Sequence, residues 1–128
     1  MWLLTPIGFF SAVCKPGDAG LTIRSRVAGD LDALRNQYLP TLSATQAGGG
    51  SDYPYRARCS HEDWASALSR MALDIDYANF KTEVAKRQGY ERAHVYSEVW
   101  SALRRLESTN APLRPGAAQE PALPPGRP

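Results

Sequence analysis

Trp2-Leu3-Leu4-Thr5-Pro6-Ile7-Gly8-Phe9-Phe10-Ser11-Ala12-Val13-Cys14-Lys15, then Pro16-Gly17-Asp18-Ala19-Gly20, then Leu21-Thr22-Ile23-Arg24-Ser25-Arg26-Val27 is the run whose reading decides the fold class. Its first part is crowded with aromatic and β-branched residues, which suit a pleated, half-buried surface. Its second part is a cluster of turn formers. The third part alternates, sending Leu21, Ile23 and Val27 to one face and Thr22, Arg24 and Arg26 to the other. Two strands joined as the arms of an antiparallel hairpin are expected.

Working outward, Asp30 stands where an N-cap belongs, ahead of Leu31, Leu34, Tyr38 and Leu39 at helical spacing, and Pro40 stops that helix. Thr41 to Ser51, with Gly48-Gly49-Gly50, reads as a loop; it lacks the Lys-Ser or Lys-Thr of a phosphate-binding loop and precedes a strand. Asp52 to Cys59 alternates again, with Tyr53, Tyr55, Ala57 and Cys59 on one face and Pro54, Arg56 and Arg58 on the other, and Pro54 argues for an edge. Ser60-His61-Glu62-Asp63 opens a second helix with a face of Trp64, Leu68, Met71, Ala72 and Ile75. Asn79 caps a shorter helix closed by Gly89. A last helix over residues 90–107 shows Val95, Val99, Trp100, Leu103 and Leu106 in core rhythm. The order is ββαβααα, an α+β two-layer sandwich with a small three-stranded sheet and helices mainly on one face. The first strand, being the most apolar, is expected at the centre, so that a right-handed crossover from the second strand to the third skips over it.

Composition sets the remaining bounds. The chain has 128 residues, 43% hydrophobic and 22% charged, as expected of one globular domain over residues 1–107. Residues 108–128 hold six prolines and are expected to be a disordered tail. The formal charge is +2, of which the tail supplies +1 (Arg114 and Arg127 against Glu120). Affinity for a polyanion must therefore come from a local patch. Cys14 and Cys59 are too few for a disulfide framework and lack zinc-site spacing, so buried free thiols are expected. The apolar opening has no Lys or Arg before Lys15 and is broken by Pro6 and Gly8. It is also shorter than the roughly twenty residues of a spanning helix. A cytoplasmic protein without a membrane segment follows.

Among residues that could carry chemistry, Arg24, Arg26, Arg56 and Arg58 share the parity opposite the apolar positions. If helices cover the apolar side, four guanidiniums occupy the open face, where they suit phosphate binding and stacking on bases, and Tyr53 and Tyr55 could add stacking if the parity is the reverse. The plain alternative is a solvated face paired with acids such as Asp52 or Glu62. Asp74 and Asp76 are unusual because acids near a helix C-terminus oppose its dipole. With Asn79 and Lys81 they offer hard oxygen ligands and a cation for a phosphate or divalent ion, although no second acidic cluster completes a two-metal site. Ordinary solvation, or pairing with Lys81, competes with that reading. His61 and His94 have no spacing that pairs them. Neither cysteine carries a sign of an activated thiolate. Tyr90, Tyr96 and Trp100 could exceed what a small sheet can cover, which would favour a homodimer or a partner protein.

The chain resembles a family of small bacterial proteins without an assigned activity that begin Met-Trp and carry Thr-Pro-x-Gly-Phe-Phe-Ser. The matching pieces are Met1 to Ser11, Ile23-Arg24-Ser25-Arg26, Asp52-Tyr53-Pro54-Tyr55-Arg56 and Asp76-Tyr77-Ala78-Asn79-Phe80-Lys81. The resemblance covers about residues 1–106, brings no catalytic residue, and draws attention to Arg24, Arg26, Arg56 and Asn79-Phe80-Lys81. The expectation is a non-enzymatic binding or accessory module that engages a protein or nucleic-acid partner through its arginine face, with no cofactor. The rival is a small phosphate- or metal-dependent enzyme, or a ligand-binding protein, built on Asp74, Asp76, Asn79 and Lys81.

Overall fold

Thr5-Pro6-Ile7-Gly8 bends the N-terminal run back on itself. The Thr5 hydroxyl accepts from the Ile7 and Gly8 N–H groups at 3.2 and 3.1 Å and donates to the Gly8 carbonyl at 2.9 Å. Such a hydroxyl-closed turn competes with continued strand, and Pro6 has no N–H to offer a ladder. The expected first strand is therefore two, β1 (Trp2–Thr5) and β2 (Gly8–Val13), paired antiparallel with Leu3 opposite Phe10 and Leu4 opposite Phe9. Gly8 is required because a Cβ there would lie 2.7 Å from Asp30 Cβ and Cγ.

The computed structural model describes residues 1–48 and 52–109. The sheet is completed by β3 (Leu21–Ser25), β4 (Gln46–Ala47) and β5 (Tyr55–Cys59), in the order β1-β2-β3-β5-β4 and antiparallel throughout. Five strands replace the three expected. β3 replaces the first strand at the centre, and all five of its residues are buried. With β1 folded onto one edge of β2, the open edge of β3 is the one left for β5. The two lie side by side, and the connection from β3 to β4 passes over the place that β5 then fills, instead of skipping the first strand. Pro54 precedes β5 and does not mark an edge; β4 takes that position, and the Pro54 carbonyl accepts from Gly48 N–H at 3.0 Å.

The described residues form five helices, α1 (Ala28–Gln37) between β3 and β4, and α2 (His61–Leu73), α3 (Phe80–Gln88), α4 (Tyr90–Leu103) and α5 (Leu106–Thr109) after β5. α1 and α2 cover the sheet face that presents Phe10, Ala12, Leu21, Ile23 and Ala57, burying Leu31, Leu34, Trp64 and Ala67 against it. Phe10, Ile23, Leu31 and Leu34, fully buried there, contribute roughly 1.5–3 kcal/mol each. Ser60 caps α2 by accepting from Asp63 N–H at 3.0 Å, and Asn79 caps α3 by accepting from Thr82 N–H at 2.9 Å, as expected. Asp30 is not the cap of α1. Val27 holds that position without a side-chain bond, and Asp30 lies in the first turn with its carboxylate directed inward.

Gly89, at φ 93°, ends α3 and starts α4, so the two helices form a hairpin stapled by stacked Phe80 and Tyr96 rings 5.9 Å apart. The hairpin closes the β1–β2 end of the sheet. Gln88 Nε2 donates to the Pro6 carbonyl at 2.6 Å, and Arg92 forms a bidentate pair with Asp30 at 2.8 and 3.0 Å. α4 differs from expectation: Tyr96 is its buried residue, while Val95, Val99, Trp100, Leu103 and, beyond it in α5, Leu106 are exposed. A single hairpin at the end of a sheet buries one narrow stripe, so the rest of the apolar rhythm faces outward. Ile75, expected on the inner face of α2, follows the end of that helix and is exposed, as is Cys14, expected as a buried thiol. No helix of the described residues is long and apolar enough to cross a membrane. The expected loop tip at 49–51 and residues 110–128 of the expected tail lie outside the described residues, and the boundary expected at residue 107 falls inside α5.

Candidate functional site

On the sheet face turned away from α1 and α2, register alone aligns Trp2, Ser11, Arg24, Arg56 and Gln46 in one row across all five strands. Flanking rows carry Leu4 and Phe9 on one side, and Val13, Thr22 and Arg58 on the other. The four arginines thus share the face that alternation assigned to them. Placing Arg24 directly opposite Arg56 is unfavourable by itself, because like charges across a ladder repel.

Their environments differ. Arg58 extends outward and pairs with Asp18 of the β2–β3 turn. Arg24 is buried, at 7% exposure, donating to Ser11 Oγ at 2.8 Å while its Nε has no hydrogen-bond partner. Arg26, just past β3, is exposed and donates to the Asp52 carbonyl at 2.8 Å. Arg56 Nη2 reaches the Tyr53 carbonyl at 3.5 Å. These bonds draw residues 52–54 over the sheet, where the Tyr53 ring takes Arg24 at 4.5 Å and Arg26 at 4.7 Å from its centroid. Cation–π attraction of this kind is strongest when desolvated, and Tyr53 is 4% exposed.

The two tyrosines assigned to one face by alternation are separated. Tyr55 packs against the core, whereas Tyr53 precedes β5 and turns to the arginine side. An aromatic row extends from it through Phe9, at 6.4 Å, to Trp2, at 6.0 Å from Phe9 and 73% exposed. Beyond Phe9 and Arg26 a groove runs to Val95 and Tyr96 of α4. Sequence reasoning missed Trp2, Phe9 and Ser11 as members of this face. The signal was present in the alternation with Phe10 and Ala12, obscured by reading residues 2–15 as one strand.

The segment Asp74, Asp76, Asn79 and Lys81 does not converge on one centre. Asp74 Oδ2 accepts from the Tyr38 hydroxyl at 2.7 Å, Asn79 is occupied as a cap that also accepts from the Thr82 hydroxyl, and the Lys81 ammonium lies 4.8 Å from the Trp100 ring centroid. Asp76 is exposed, and among the described residues no three His, Cys, Asp or Glu side chains come together as a metal-ligand group. His94 faces Glu98 at 3.4 Å, and His61 is exposed in the first turn of α2. Burial, with Asp63 nearby, pushes the Cys59 thiol up to about 11, the opposite of an activated nucleophile.

Three phenols are held above their ordinary value of 10.0: Tyr38 chiefly by its bond to Asp74, and Tyr77 and Tyr96 chiefly by burial. A raised folded value means the native chain retains the proton longer than the unfolded one. The associated stability is complete below the ordinary value and is lost as pH rises through the folded values. Urea unfolding from pH 8 upward is therefore expected to show stability falling above about pH 10, with a shallower fall in Tyr38→Phe. A flat profile would contradict the Tyr38–Asp74 bond.

No protein-family model matches the chain, and neither a curated protein nor a solved structure does so.

Proposed function

We propose that this protein is a non-enzymatic binding module that engages an acidic segment of a protein partner through the arginine-bearing face of its sheet. The observation that carries this is that Arg24 and Arg26 both stack on the Tyr53 ring, and neither pairs with a carboxylate among the described residues. A guanidinium brought out of water without a counter-ion is costly, and an incoming carboxylate supplies the missing charge in bidentate geometry. Trp, Tyr and Arg are also the residue types that dominate binding energy at protein interfaces, and exposed Trp2 continues the arginine cluster through Phe9. Nucleic acid is the weaker fit. The formal charge is only +2, and the Tyr53 ring, 4% exposed, is already engaged by two guanidiniums and so closed to a base. Two cysteines that form no disulfide accord with a reducing, cytoplasmic setting.

The test is a fluorescence titration of the full chain with a labelled peptide of alternating Glu and Leu, and in parallel with labelled single-stranded oligo-dT, at several salt concentrations. Peptide binding that weakens with salt and falls at least about tenfold in Arg26→Glu and in Trp2→Ala is expected. Both side chains are exposed, so these variants retain the core. An unchanged affinity in Arg26→Glu, no binding at low salt, or preference for the oligonucleotide would overturn the proposal.

A further inference from the structure

Asp74 is the C-cap of α2, where a negative charge opposes the helix dipole, yet no cation pairs with it among the described residues. One of its oxygens takes the Tyr38 hydroxyl, and the other makes no hydrogen bond among the described residues. This carboxylate stands at a cleft of about 220 Å³ between the β1–β2 turn, the end of α2 and α3, whose walls are Leu3, Pro6, Ile7, Leu68, Met71 and Ile75. Arg87 lines the same cleft from α3. Its Nε is bound to Glu83 at 3.1 Å, and its two terminal nitrogens make no hydrogen bond among the described residues. Tyr38, whose hydroxyl bonds Asp74, lines this cleft together with Asp74 and Arg87, so one anion and one cation share the apolar walls.

We infer that this cleft binds a free apolar amino acid of the size of leucine or phenylalanine, with its ammonium group on Asp74, its carboxylate on Arg87 and its side chain between Leu3, Leu68 and Met71. The charge pattern asks for a zwitterion, because an amine alone would meet the Arg87 cation and an acid alone would meet the Asp74 anion. The volume lies below the roughly 300–1,000 Å³ of pockets for drug-sized ligands, which favours a molecule of this small size. Tyr38 acts as a positioning residue: its hydroxyl holds one Asp74 oxygen and turns the other toward the ligand. This site is separate from the arginine face and stands or falls without it.

The experiment is amide NMR of the full chain titrated to about 10 mM with leucine, phenylalanine, glycine, isoamylamine or isovalerate. Leucine or phenylalanine is expected to move resonances of residues 3–7 and 68–75 in a saturable manner. Glycine, isoamylamine and isovalerate are expected to bind at least about tenfold more weakly, and so is leucine to Asp74→Asn and Arg87→Gln. Both variants change exposed side chains, and the undisturbed remainder of each spectrum reports that the fold is retained. Absence of saturable shifts with either apolar amino acid, isoamylamine binding as tightly as leucine, or full leucine affinity in both variants would overturn the inference.

Discussion

Asp30→Ala is expected to lower the free energy of unfolding by about 3–5 kcal/mol, measured by urea denaturation at neutral pH. The carboxylate is 4% exposed, accepts the Phe9 N–H at 3.0 Å and receives both terminal nitrogens of Arg92. Its removal strands a half-buried guanidinium and an amide donor together, and it releases the bond that holds the α3–α4 hairpin to the end of the sheet. Hydrogen bonding to Asp30 is also what chiefly holds the Arg92 guanidinium above its ordinary value. Arg92→Ala removes the other partner and should cost less, because that side chain is 21% exposed. The double variant should lose clearly less than the sum of the singles. Additivity within about 0.3–0.5 kcal/mol would show that the pair is not coupled and that another contact secures the hairpin.

Phe10→Ala is expected to cost about 3–5 kcal/mol, a large share of the 5–15 kcal/mol typical of a small domain. Phe10 has no exposed surface and lies in the core with Leu31 and Leu34 of α1. Its neighbour Phe9 points to the arginine side and is half-buried between Trp2 and Tyr53. Phe9→Ala should therefore cost distinctly less while disturbing the Tyr53 environment. Chemical denaturation of the two variants, run below room temperature so that Phe10→Ala remains measurably folded, separates them. Equal losses would contradict the assignment of the two residues to opposite faces.

The comparison of these neighbours shows how far local pattern carries. Alternation in residues 21–27 and 52–59 placed four arginines on one face, and the register of β3 with β5 agrees for Arg24, Arg56 and Arg58. It said nothing of which would be solvated. Arg24 and Arg58 have the same parity, but a central row covered by Tyr53 buries the first, while the second reaches Asp18. Spacing in α4 was equally ambiguous. Val95, Val99 and Leu103 repeat as core residues do, and whether they are core depends on a surface opposite them that no property of the helix itself reports.

From the sequence alone came the α+β class, the β3 arm of the hairpin, the caps at Ser60 and Asn79, and the common face of Arg24, Arg26, Arg56 and Arg58. Each rests on interactions between residues a few positions apart. Only the tertiary structure decided that residues 2–15 fold into two strands, that β3 is central, that Tyr53 crosses to the arginine face, and that Asp30 turns from cap to clamp. The first of these is set by the local Thr5–Gly8 turn, whereas the others depend on pairings across more than twenty residues of chain, Asp30 with Phe9 (21 residues apart) and with Arg92 (62) being the clearest. Long-range partners of this kind are selected by packing and by the need to satisfy every buried polar group, conditions that only the assembled chain imposes.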